Sequence, residues 1–450
     1  MSPSSRPDPR QQVTRRALIV WGAAVLFYIV AITGRTSFGV AGVDAIARFE
    51  VDASRIAVFT AVQVGVYALA QIPVGLLIDR FGSRRVLIIG AVLMGVGQII
   101  LGLTSNYWVA ILARVFIGAG DASAFLSAMR LLPFWFPARI TPLFTQLTSG
   151  LGQLGQFFSA VPFLWLLGAQ GWTVAFVSLG AVGILVAIAA GVAISDAPDG
   201  SDDEDSPTDS PEPGQLTARE MRRKKSRFFN TLSTVLKHPL CWQGFFIHWT
   251  GMLNQIVFTL LWGVPLMTLG MGLDNAQVGL VLTINTISTI AAGPLLGWVS
   301  QRTGYNRDLA VVVLAGIIGI AWLIFILPAE PRSLAAIIVV NIIMAVFTPT
   351  ANFGFDNVRA RVHRRVVATG TGLGNMGGFL SGMLAAQLVG ITLDASSAGE
   401  TYQWADFRLG WLVVLVIWAL GMTGILLTRA WVKRWEKRAG RGVRIVDSSD

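Results

Sequence analysis

The architecture this sequence predicts is an all-α membrane protein, with twelve transmembrane helices in two pseudo-symmetric six-helix bundles. Three observations carry it. Hydrophobic residues make up 54% and charged residues 13% of 450 positions, and the mean hydropathy is +0.63. That is more apolar surface than a soluble core of this size can bury. Apolar runs of 18 or more residues recur along the chain, each long enough to cross about 30 Å of hydrocarbon as a helix. The chain also matches itself at a constant shift of 222 residues. Gly75-x-x-x-Asp79-Arg80-x-Gly82-x-x-Arg85 falls on Gly297-x-x-x-Gln301-Arg302-x-Gly304-x-x-Arg307. Gly150, Gly152, Gly155 and Phe157 fall on Gly372, Gly374, Gly377 and Phe379, and Ala138-Arg139 falls on Ala360-Arg361.

The predicted helices, in order, are 17–43, 55–78, 86–105, 107–132, 142–166 and 172–195, then 240–270, 275–300, 309–328, 332–355, 366–392 and 407–430. Backbone groups in lipid need partners within their own segment, so helices are the reading such runs allow. The resulting domains are a tail at 1–16, a bundle at 17–195, a linker at 196–238, a second bundle at 239–430 and a tail at 431–450. The linker opens acidic and rich in Pro, Ser and Gly, through Asp202 to Asp205, and turns basic over 219–227. It has too little apolar surface to fold alone, and its basic part is a candidate amphipathic helix lying on the membrane.

Charge sets the orientation. With both termini cytoplasmic, cytoplasmic segments hold 28 of the 35 Lys and Arg. The outer loops hold Arg48, Arg55, Arg332 and Arg408, and Arg35, Arg114 and Arg130 lie inside helices. This obeys the positive-inside rule. Attraction to anionic headgroups of the bilayer then accounts for the net charge of +10, with no nucleic-acid partner needed. Arg outnumbers Lys 30 to 5, which points to a GC-rich bacterial genome and a bacterial inner membrane. One cysteine, Cys241, leaves no disulfide framework and no zinc cluster. The first apolar run has no small-residue cleavage site after it, so it reads as a retained helix.

The pattern Gly75-x-x-x-Asp79-Arg80-x-Gly82-x-Arg84-Arg85 resembles the signature loop between helices 2 and 3 of the major facilitator superfamily. The copy with Gly297, Arg302 and Gly304 resembles its counterpart between helices 8 and 9. The resemblance covers residues 17–430. Arg114-x-x-x-Gly118-x-x-Asp121-Ala122, Trp135-Phe136-Pro137-x-Arg139 and Gly171-Trp172-x-x-Ala175-Phe176 are similar to anion-symporter and organophosphate-permease branches, with a nitrate/nitrite-type branch as a further possibility. It implies a secondary transporter whose halves rock about a pseudo-twofold axis, with the 75–85 loop as a gate latch. Asp79 can accept hydrogen bonds there from arginines or from a neighbouring helix N-terminus. Gln301 replaces the carboxylate in the second copy, which implies a weaker gate. Helix 5 lacks the Gly-Pro pair of proton-driven drug antiporters.

Ionisable groups inside spans are costly and therefore functional candidates. Tyr28 and Arg35 share one face of helix 1, and Arg114 and Asp121 share one face of helix 4. In the superfamily both helices flank the central cavity, so the resemblance implies a layer of paired arginines above an Asp–Tyr layer. Arg suits planar anions, and Asp121, the carboxylate deepest in a span, is the proton-coupling candidate. The alternative is an Arg114–Asp121 ion pair that fixes packing. Arg35 shows no carboxylate partner in the sequence, and Arg130 reads as an interfacial charge that snorkels. Gln63, Tyr67, Gln153, His248, Gln255 and Asn375 add neutral polarity and join the candidate substrate-binding set, although a lone Asn or Gln often serves to hold helices together. The paired glycines read as close-packing surfaces between the halves or as hinges.

No nucleotide loop, catalytic grouping or metal-ligand spacing occurs, so no cofactor, metal or enzymatic activity is expected. The leading function is transport of a small organic or inorganic anion by proton symport or exchange, by a monomer. Proton-coupled efflux of amphipathic drug-like compounds is the alternative, and a membrane sensor signalling through the linker is a third class.

Overall fold

A computed structural model describes residues 12–51, 53–198, 230–397 and 401–438. Among these residues there are no strands, and nine helical stretches are long and apolar enough to cross a membrane. Two of the nine, Thr141–Ala193 and Ala276–Ile326, are of double length and hold two crossings each. A helix at Pro239–Val257, studded with Gln243, His248, Asn254 and Gln255, completes twelve.

We label the crossings in chain order. The first five are α1 (Arg15–Val40), α2 (Ala53–Phe81), α3 (Ser83–Leu103), α4 (Tyr107–Trp135) and α5 (starting as Thr141–Gly152). Next come α6 (172–193), α7 (Pro239–Val257), α8 (Asn275–Thr303) and α9 (Arg307–Ile326). The last three are α10 (Leu334–Phe347), α11 (Val367–Ser397) and α12 (Trp404–Arg438).

Local chemistry sets the helix starts. Thr14 accepts from the Ala17 amide at 3.1 Å, and Asn106 accepts from Trp108 and Val109 at 2.9 and 3.2 Å. Asp274 and Gln277 close a reciprocal capping box. His238 caps α7 by accepting from the Leu240 amide through Nδ1. That role needs a neutral ring, and burial together with the Arg361 charge holds its pKa below the usual imidazole range.

Several predicted spans end or break differently. α1 stops at Val40 and a short helix, Gly42–Phe49, follows. α5 changes pitch at Gln153 and passes through a π-turn at Ser159–Phe163, and Gly171 (φ +78°) separates it from α6. The predicted 240–270 span continues beyond Val257 as π-turns at Phe258–Trp262 and Leu266–Gly270. α12 runs on to Arg438, eight residues past its predicted end. Hydropathy reports which residues are apolar; it does not report a local change of pitch. The acidic and basic parts of the linker at 202–205 and 219–227, and the last twelve residues, lie outside the described residues.

The chain divides into two compact units: Met1–Leu232 with His363–Gly372, and Ser233–Val362 with Leu373–Asp450. The core of the first unit is aromatic around Phe38, Phe59, Trp172 and Phe176; Phe38 stacks on Phe59 at 4.7 Å and Trp172 lies 4.3 Å from Phe176. The second is built on Trp322, Trp411, Phe258 and Phe325, with the two indoles 5.0 Å apart.

Each unit closes the carbonyl end of its third helix with an arginine and a tryptophan. In the first, Arg48 donates to Thr104 and Gly102 (2.9 and 3.0 Å), and Trp172 Nε1 donates to Leu101 (2.9 Å). In the second, Arg408 donates to Ile326 and Leu327 (both 2.9 Å), and Trp404 Nε1 donates to Pro328 (3.1 Å). Cations and N–H donors belong at that end, where four carbonyls lack helical partners.

Most of the paired glycines pack within their own six-helix half, whereas Gly372, in the part of α11 that belongs to the first unit, packs on the Gln71 carbonyl of α2. Added Cβ atoms at Gly152 and Gly155 would meet Tyr28 and Ile29 of α1 at 2.3 and 2.5 Å, and one at Gly377 would meet the Phe245 carbonyl at 2.4 Å. Gly150 faces open space.

Candidate functional site

The charged residues predicted on α1 and α4 come together inside the first unit, but not in the expected layers. Arg35 Nε and Nη2 donate to the two oxygens of Asp121 at 2.6 and 2.9 Å. Two parallel charge-assisted bonds of this kind are among the strongest pairings a guanidinium makes. Asp121 is 1% exposed. The arginine without an evident carboxylate is therefore the one that holds it, because counting residues along two axes ignores how far an arginine side chain reaches between them. The Arg35 guanidinium also lies 4.4 Å from the centre of the Tyr67 ring.

Arg114 takes the role expected for Arg35. It is 1% exposed, and among the described residues no carboxylate pairs with it. Its Nε makes a long contact of 3.4 Å with the Phe59 carbonyl, its charge lies 4.6 Å over the Phe38 ring, and Nη1 has no hydrogen-bond partner. The within-helix Arg114–Asp121 pair does not form.

The seam between α2 and α4 places Gln63 between these groups. Phe59 meets Arg114, and one turn further along both helices the Gln63 backbone meets Gly118, where a Cβ would lie 2.6 Å from its carbonyl oxygen. A further turn on are Tyr67 and Asp121, joined through Arg35. Gln63 is 1% exposed, and neither atom of its carboxamide has a partner. Such a group is costly to bury. Tyr28 packs against Phe125 (5.4 Å between centroids) and lies within electrostatic reach of Tyr67, Arg35 and Asp121. Gln153, by contrast, is half-buried and accepts from the exposed Gln156 at 2.5 Å.

The 75–85 loop is built around two carboxylates. Asp79 accepts from the Ala368 amide (3.0 Å), the Thr369 amide (2.8 Å) and Thr369 Oγ1 (2.6 Å), at the start of α11 in the part that belongs to the first unit. Of the partners proposed for it, this is the helix N-terminus. At Gly75 a Cβ would lie 2.7 Å from Thr369 Cα, so only glycine permits the approach.

Asp196, which composition assigns to the linker, belongs to the folded body and accepts from the Ser83 and Arg84 amides at 2.5 and 3.1 Å. Gly82, at φ +84°, has no room for a Cβ beside that carboxylate. Arg84 donates to the Gly191 carbonyl (2.6 Å), and Arg80 lies over Phe81. Arg85 is exposed. Arg130 does not snorkel: it is 8% exposed and sits 3.8 Å from both Asp79 and Asp196.

Among the described residues, the second unit is neutral at depth. Gln255 donates to Asn285 (2.8 Å), which donates to Asn341 (3.1 Å), linking α7, α8 and α10. His248 Nδ1 faces the Ala351 carbonyl at 3.2 Å, and Asn375 hydrogen-bonds the same ring. A carbonyl only accepts, so Nδ1 carries the proton, and the contact fixes α7 to the 348–352 turn.

In the second loop Gly304 turns the chain (φ +46°), and Arg302 lies 5.0 Å over Trp298 of the α8 segment that begins at Gly297. This loop is held although it lacks the motif carboxylate. Ser300 Oγ donates to Asp356 (2.5 Å), Arg307 Nε donates to the Ser300 carbonyl (3.0 Å), and Arg429 and Gln243 donate to Asp308 (2.6 and 3.1 Å). The expected weakness at Gln301 is therefore answered by carboxylates on α9 and after α10. No sequence signal marked them: Asp308 stands in the first turn of α9, and Asp356 lies in the polar segment Phe353–Arg361.

The sequence profile described as Major Facilitator Superfamily matches residues 24–386. The chain belongs to this superfamily. A probable L-galactonate transporter of Escherichia coli is 21% identical over 416 residues, 91% of this chain and 87% of that protein. The probable sulfoacetate transporter SauU of Cupriavidus necator is 27% identical over 39% of this chain, and the probable galactarate/D-glucarate transporter GarP of Escherichia coli is 24% identical over 40%. The chain spans about 40% of the length of these last two. The solved structure of the superfamily transporter FucP in its outward conformation matches with a TM-score of 0.62 at 12% identity, over 92% of this chain and 99% of that one. These relatives are named as transporters, a class apart from enzymes.

Proposed function

We propose that this protein is a secondary active transporter that moves a small anion by alternating access, with Asp121 as the group that couples flux to protons. The observation that carries the reading is the excess cation in the first unit. Asp121 neutralises Arg35 in a bidentate pair, and Arg114 stays buried without an acidic partner. An unpaired buried guanidinium is costly, and a carboxylate, sulfonate or phosphate group offers the planar or clustered oxygens that would relieve it. Gln63 and Tyr67 lie on this seam and Tyr28 approaches it from α1, as neutral partners. The names of the sulfoacetate, galactonate and galactarate transporters fit an anionic substrate for this chain too.

Efflux of amphipathic compounds calls for an apolar, aromatic cavity, and three charged groups at depth, two of them fully buried, speak against it. The arginine distribution supports a bacterial inner membrane with both termini inside. The 75–85 loop serves as a gate latch, and the protein works as a monomer coupled to the proton gradient.

Uptake into proteoliposomes tests the reading. Arg114→Ala and Arg35→Ala are each expected to lower anion uptake at least 100-fold, and transport that survives both changes would falsify the anion site. A thermal-shift screen against charged metabolites supplies the substrate, because a ligand bound at 100 times its Kd stabilises by about 2.7 kcal/mol.

A further inference from the structure

The balance of charge in the first unit bears on more than the sign of the substrate. Among the described residues, its helices carry two guanidinium groups and one carboxylate at depth: Arg35 on α1, with Arg114 and Asp121 on α4. Facing Asp121 from α1 are Arg35 and Tyr28, from α2 Tyr67 and from its own helix Arg114. α3 packs on α4 through Gly90 and Met94, next to Ser123 and Gly120, and brings no charge there. The α5 segment Thr141–Gly152 contains no ionisable residue. With Asp121 ionised the site carries one net positive charge; with Asp121 protonated it carries two.

We propose that the site is matched to its substrate by charge. With Asp121 ionised it takes a monoanion, and it takes a dianion only together with one proton, which resides on Asp121. This rests on the anion reading above and adds a stoichiometry to it. The physical reason is the cost of burying net charge, several kcal/mol per unpaired ion even after relaxation. In the ionised state Arg35 is committed to both oxygens of Asp121, so Arg114 alone is open to an anionic group. A second negative group would meet a site that is already neutral. Protonation turns Asp121 into a neutral acid, removes the counter-ion of Arg35 and opens a second cationic position. Either loaded complex is then neutral: one positive site with one negative charge, or two with two. The buried carboxamide of Gln63, with both atoms unused and on the α2 turn between Phe59 and Tyr67, suits a neutral hydroxyl carried between or beside the anionic groups.

The test uses the purified full chain and two six-carbon acids that differ by one carboxylate, galactonate and galactarate. Titration calorimetry in buffers of different ionisation enthalpy counts the protons exchanged on binding. The expected result near neutral pH is one proton taken up per galactarate and none per galactonate. Apparent affinity for galactarate then falls about tenfold per pH unit while that for galactonate stays flat. Asp121→Asn should abolish proton uptake with galactarate and weaken galactonate.

Equal proton uptake with the two acids overturns the charge match and leaves the anion site standing. The same holds if galactarate binding to Asp121→Asn still takes up a proton. Binding of neither acid, with Arg114→Ala indistinguishable from the parent, overturns the anion site and the charge match together. The calorimetric contrast on the unmodified protein decides the matter even where the Asn variant folds poorly.

Discussion

The two units repeat one backbone plan and differ in what they bury. At membrane depth the first holds Arg35, Arg114 and Asp121, and the 222-residue shift puts Val257, Ala336 and Ile343 in their places in the second. Polar groups at depth in the second are neutral: the Gln255–Asn285–Asn341 chain and the His248 contact. Toward the loop ends the distribution changes. There the second unit buries Asp308 and Asp356 to hold a loop whose motif carries Gln301. The lesson is that features acting through the backbone, such as helix ends, tight turns and close packing, are kept by the fold in both units. Buried charge is not needed by the fold, since one unit does without it at depth, so its presence in the other calls for a functional reason.

The largest expected effect follows from breaking the ion pair. Arg35→Gln or Asp121→Asn alone should each cost about 3 kcal/mol of stability, because each leaves a buried charge without its partner. The double variant should recover most of that loss. Denaturant melts in detergent measure this, and additive losses would mean the pair is not a unit.

A smaller effect is expected in the second unit. Asn285→Ala should cost about 1 kcal/mol, the scale of a hydrogen bond between membrane helices, and leave anion uptake within a factor of two of the parent. A collapse of uptake there would show that the neutral unit also carries substrate chemistry.

The smallest contrast tests the shared plan. Arg48→Ala and Arg408→Ala remove equivalent carbonyl caps, so each should cost about 1 kcal/mol. A large inequality between them would break the equivalence of the two units.

Helix number and the repeat were legible in the sequence because apolar run length and conserved spacing are one-dimensional properties. Gly82 and Asp79 could be assigned from their motif, and their partners could not: Asp79 finds the amides of residues 368 and 369, nearly 300 positions away. Asp196 was hidden by its neighbours, since an acidic linker begins right after it. Arg130 near a helix end reads as lipid-facing until Asp79 and Asp196 are placed around it. Arg35 and Arg114 were both recognisable as candidates, and their roles were exchanged.

The sequence by itself determined the class of this protein, its twelve crossings, its membership of a transporter superfamily and the few residues where charge enters the membrane. The tertiary structure decided how that charge is shared. The choice of Arg35 over Arg114 as the partner of Asp121 depends on side-chain reach between helices, and Coulomb energy in a buried site is governed by separation in space. Hydropathy and spacing along one chain carry no record of that separation.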